Sequence, residues 1–168
     1  MTIKRPEQFL FEQGIGGAVI NFVLCGGIGW LLFRGMADVP LWGQQSVAGD
    51  TFATAFLLPF LTCLIVTPTV RRDVLKGQVA GFPTSSPYHA LGQWVPRRSL
   101  VRGVIAGVLC VVIVAPATVF VLGEFAAAGM RFAPFLAFKA TFGALLGAVV
   151  TPFLALLAIC DANPARAA

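Results

Sequence analysis

An all-α membrane fold of four transmembrane helices is what this sequence predicts, and three observations carry that reading. Of its 168 residues, 58% are hydrophobic and only 11% charged, against about 25% charged in a soluble domain. The apolar residues gather into four stretches, each long enough for the roughly 20 residues that cross a bilayer. The basic residues collect at the ends of those stretches, mostly on one side.

Residues 1–13, MTIKRPEQFLFEQ, read as a short interfacial helix. Pro6 suits its first turn, and Phe9, Leu10 and Phe11 suit the headgroup boundary; a frayed leader is the alternative. Lys4 and Arg5 give only a faint signal-peptide pattern, with no small-x-small site at a suitable distance beyond the apolar run. The first span, at 14–33, is therefore expected to be retained. A loop carrying Trp42 as an interfacial anchor leads to Asp50, the expected N-cap of a second span at 51–70. The loop 71–98 contains GFPTSSPYHALGQWVP, whose Gly, Pro and Ser residues forbid a continuous helix. A third span follows at 99–122. Pro134 then opens a fourth at 134–160, and the whole chain reads as one membrane domain.

Charge sets the expected orientation. Lys4, Arg5, Arg71, Arg72, Lys76, Arg97, Arg98, Arg102 and Arg166 lie on one side, and only Arg34 and Arg131 on the other. Nine against two places the first side, with both termini, in the cytoplasm of a bacterial-type inner membrane. The formal charge of +5 thus reflects topology and lipid contact, since no basic stripe of the kind that binds nucleic acid is present. Arg71-Arg72 and Arg97-Arg98 bracket the inner loop as expected anchors for anionic headgroups.

The two hairpins read as a diverged tandem parallel repeat. LTCLIVTP at 61–68 aligns with LLGAVVTP at 145–152, both on helices running outside to inside. A chance match between short apolar segments is the alternative, and the first and third spans align poorly.

Within the spans, small or polar residues recur every four positions and so share a helix face. Gly17, Asn21, Cys25 and Gly29 form one such ridge, Gly103 and Gly107 another, and Lys139, Gly143, Gly147 and Thr151 a third. In lipid, small-xxx-small ridges let helix backbones approach closely, so Gly17, Cys25, Gly29, Gly103, Gly107, Gly143 and Gly147 are assigned to helix packing. The sharper reading lines a cleft or pore with Asn21, Thr67, Lys139 and Thr151. Lys139 stands out because an intramembrane ionisable residue is a functional candidate by default; snorkelling, or a pair with Asp50 or Glu124, is the structural reading.

Several activities lack their chemistry. Cys25, Cys63, Cys110 and Cys160 form no C-x-x-C pair or metal-ligand spacing and read as small apolar residues. His89 is the single histidine. No serine-nucleophile motif, phosphate loop or metal-ligand pair is present, and no cofactor is implied. The expected role is a non-catalytic accessory or structural subunit, packed with a protein partner or with copies of itself. A small transporter or channel is the alternative, and a lipid-modifying enzyme comes third.

Overall fold

The computed structural model describes residues 3–82 and 95–162 of the chain; His89 and Arg166 lie outside them. Among the described residues, four helices are long and apolar enough to cross a membrane: α1 (Pro6–Phe33), α2 (Val47–Leu75), α3 (Ser99–Phe125) and α4 (Phe132–Ala162). The protein is a multi-pass helical membrane protein.

Each helix outruns the apolar stretch that defines it. α1 starts at Pro6, with no break near Gly14, so the expected separate interfacial helix is instead the first two turns of the span. Pro6 at N1 costs no hydrogen bond there, because the first-turn N–H groups have no intrahelical partner. Phe9 does not sit in headgroups. It is buried against Val70, Val74, Val79, Ala155 and Ile159, while Phe11 stays exposed. Lys4 exchanges backbone hydrogen bonds with the chain after α2, donating to the Gln78 carbonyl at 3.0 Å and accepting from the Ala80 N–H at 3.1 Å.

The N-cap of α2 is Ser46, whose Oγ accepts from the Gly49 N–H at 3.1 Å and donates to the Gly43 carbonyl at 2.9 Å. Asp50 is therefore not the cap. It falls in the first turn, where a carboxylate still complements the helix dipole, and its side chain is free to reach another helix. Pro59, Pro68, Pro116 and Pro152 all lie inside continuous helices.

α1 packs on α4, α4 on α2, and α2 on α3; among the described residues no other helix pair makes a comparable contact. The order across the bundle is thus α1, α4, α2, α3. In α4, 67% of the most apolar window is buried, against 17% in α1 and in α3, so α4 is a core helix and α1 and α3 are flanks. The first helix of each hairpin packs on the second helix of the other hairpin, with the parallel pair α2 and α4 between them. Exchanging the halves leaves this scheme unchanged, as a parallel repeat about an axis along the helices requires.

The two hairpin turns are clasped by a small antiparallel ladder of β1 (Asp38–Val39) with β2 (Met130–Arg131), in which Asp38 faces Arg131 and Val39 faces Met130. Beneath it Phe33, Val39, Leu41, Val47, Leu122 and Phe135 form an apolar cluster, with the Phe33 and Phe135 rings 4.6 Å apart. This is the hairpin end of the bundle. The opposite, basic end gathers the described N-terminal residues, the C-terminal end of α2 and the start of α3.

Candidate functional site

The α1–α4 contact is built by the small-residue ridges. A Cβ at Gly17 would lie 2.3 Å from Thr151 Oγ1, one at Gly143 2.4 Å from Cys25 Sγ, and one at Gly147 2.5 Å from the Asn21 amide nitrogen. At Gly29 the Lys139 stem occupies the same space, 2.6 Å away. On the other flank, a Cβ at Gly107 would sit 2.8 Å from the Phe56 ring, and one at Gly103 3.1 Å from Phe60. Backbones approach this closely only where no side chain intervenes. The seven ridge residues Gly17, Cys25, Gly29, Gly103, Gly107, Gly143 and Gly147 thus lie at helix contacts.

Two ion-pair clusters tie the helices together. At the hairpin end, Lys139 on α4 is 3% exposed and its ammonium binds the Asp50 carboxylate on α2. The long stem runs past Gly29, so this pair joins all three helices α1, α4 and α2.

The basic end holds a triad. Asp161 Oδ2 accepts from Arg102 on α3 at 2.7 Å and from Arg71 on α2 at 2.8 Å. Arg102 and Asp161 side chains are each 2% exposed, and Arg71 is 30% exposed. Arg71 also donates to the Arg97 carbonyl at 2.6 Å. It turns inward to the triad, while Arg72, Arg97 and Arg98 remain exposed. Two guanidiniums on one carboxylate leave the cluster one positive charge in excess, and among the described residues Arg102 Nε and Nη1 and Asp161 Oδ1 find no partner. A charge buried this deeply persists only when paired, so the triad fixes α2, α3 and α4 to one another. Sequence reasoning missed it by ending the fourth span at Cys160, one residue short of Asp161.

Between α1 and α2, which do not pack on each other, lies a groove of about 520 Å³ floored by α4. Ile20, Leu24, Leu57 and Leu61 form much of its walls, and Asn21, Thr151, Asp50 and Lys139 line it as well. Three of the four cleft candidates, Asn21, Lys139 and Thr151, are therefore together. Asn21 Nδ2 donates to the Gly17 carbonyl of its own helix at 2.8 Å. The Thr151 hydroxyl is buried with no partner among the described residues. Thr67 is elsewhere, buried beside Cys63, whose sulfur lies 3.5 Å from its hydroxyl and donates to the Ser99 carbonyl of α3 at 3.3 Å.

The four cysteines form no disulfide, and among the described residues no group of three or more His, Cys, Asp or Glu is placed to hold a metal ion. Compared with protein-family models, curated proteins and solved structures, the chain matches none.

Proposed function

We propose that this protein is a non-catalytic accessory or structural subunit of a membrane complex, acting as a rigid membrane-embedded frame for a protein partner or for further copies of itself. The observation that carries this reading is the placement of the buried charges. Lys139–Asp50 and the Arg71–Asp161–Arg102 triad lock α2 and α4 together at both ends, and each cluster takes in one flanking helix. Parting a buried pair costs several kcal/mol per ion, so helices held this way resist the rocking motion that alternating access demands.

The basic residues give the frame its orientation in this reading. Lys4, Arg5, Arg71, Arg72, Lys76, Arg97, Arg98 and Arg102 share one end, and Arg34 and Arg131 the other. The basic end faces the cytoplasm, of a bacterial-type inner membrane, with exposed Arg72, Arg97 and Arg98 against anionic headgroups.

The transporter reading has one specific observation in its favour, the groove that Asn21, Lys139 and Thr151 share. Extraction in mild detergent separates the two. A frame subunit elutes in an assembly of fixed stoichiometry, well above the 17.7 kDa chain plus detergent; a lone, active chain would overturn the proposal.

A further inference from the structure

The groove between α1 and α2 is open along its apolar walls. It follows α1 from Glu12 to Leu32, a length of roughly 30 Å at 1.5 Å per residue. That matches the roughly 30 Å hydrocarbon core of a bilayer.

The chemistry of the lining agrees. Ile20, Leu24, Leu57 and Leu61 are each at least half exposed, so the walls are apolar and uncovered along the depth of a bilayer. Charge stands at both ends of the groove, Glu12 with its Lys4 partner at the basic end and the Asp50–Lys139 pair at the hairpin end, and only the latter turns an ammonium to the lining. The Lys139 ammonium has three donors, of which Asp50 takes one, leaving two for the oxygens of a polar group. Farther along the floor, Thr151 Oγ1 is buried without a partner among the described residues. On α1, neighbouring glycines divide the work: Gly17 is closed by Thr151, while a Cβ at Gly16, which lines the groove, would meet nothing within 4 Å.

We infer that this groove is a lipid site. It holds one hydrocarbon chain of a membrane lipid between α1 and α2, with the lipid's oxygen-bearing polar end beside Asp50 and Lys139. The inference goes beyond the frame reading and holds whether the chain works alone or in an assembly. A helix of a second copy or of a partner, seated there instead, would shield these walls from lipid.

The test is photolabelling of the full chain in vesicles of phosphatidylethanolamine and phosphatidylglycerol. These carry a trace of phosphatidylethanolamine with a diazirine in its acyl chain. Label is expected to concentrate on Ile20, Leu24, Leu57 and Leu61 over Val112 and Phe120, which are at least as exposed on α3. Gly16→Phe and Ala53→Phe fill the groove from opposite walls and should each cut that labelling about tenfold, the effect of losing 1.4 kcal/mol of binding. Gly27→Phe, on α1 where a Cβ meets nothing within 4 Å and outside the groove lining, should leave it unchanged. Even labelling of all lipid-facing helices would overturn the inference. So would undiminished groove labelling in both filled variants, or protection of the groove walls by a cross-linked polypeptide.

Discussion

Replacing Asp161 with Asn removes the carboxylate on which two guanidiniums converge while keeping the side chain's size. Arg71, at 30% exposure, can swing toward solvent, but Arg102, at 2%, has no such route. Among the described residues its Nε and Nη1 already lack partners, so the variant leaves a buried cation with a neutral amide in place of its carboxylate. Removing one partner of a buried pair typically costs about 3–5 kcal/mol. For a chain of this length that corresponds to a fall in unfolding temperature on the order of 10 °C. The assay is unfolding of the purified protein in mild detergent, followed by circular dichroism. The double variant Arg102→Leu/Asp161→Leu should recover most of the loss, because an apolar replacement of a whole buried pair is often neutral or stabilising. The coupling energy from the complete cycle isolates the pair itself. An Asp161→Asn protein as stable as the parent would refute the reasoning, as would a double variant worse than the sum of the singles.

Other expectations follow from the same geometry. Gly143→Leu or Gly147→Leu should each lower stability by about 1–3 kcal/mol through overpacking, since even a Cβ would meet Cys25 or Asn21 within 2.5 Å; Gly27→Leu, facing open space, should not change the detergent melting curve. Reporter fusions at residue 1 and at Gly81 should both report cytoplasm and one near Gln44 the outside, following the positive-inside asymmetry; an outward Gly81 would reverse the orientation. Lys139→Arg should retain more stability than Lys139→Met, because Met leaves Asp50, which is 10% exposed, without its cation; equal melting temperatures would show that the Lys139 charge is dispensable.

The four spans were legible because hydropathy depends on composition over about 20 residues and tolerates local ambiguity. Their ends were not. Pro6 and Asp161 both extend helices past the apolar run, and composition is silent where a charged residue is neutralised by another helix. Asp161 meets Arg102 across 59 positions of chain, a separation no local pattern reports. Asp50 read as a cap since aspartate at a helix start usually caps, yet Ser46 one turn earlier took that role and left Asp50 for Lys139. Spacing of four picked out the ridges, but not which neighbour each would meet. Gly16 and Gly17 both border the groove, yet a Cβ at Gly16 would meet open space and one at Gly17 would strike Thr151. The order α1, α4, α2, α3 was hidden for the same reason: in lipid the driving force between helices is shape fit, which a linear pattern does not encode.

Flux across vesicles bearing the purified protein tests the frame reading most directly. Proton and potassium fluxes, read with pH- and potential-sensitive dyes, should match protein-free vesicles for the parent and remain unchanged in Lys139→Met. A robust parental flux that Lys139→Met abolishes, in a variant that still folds, would contradict the account and make the Asp50–Lys139 pair part of a transport path.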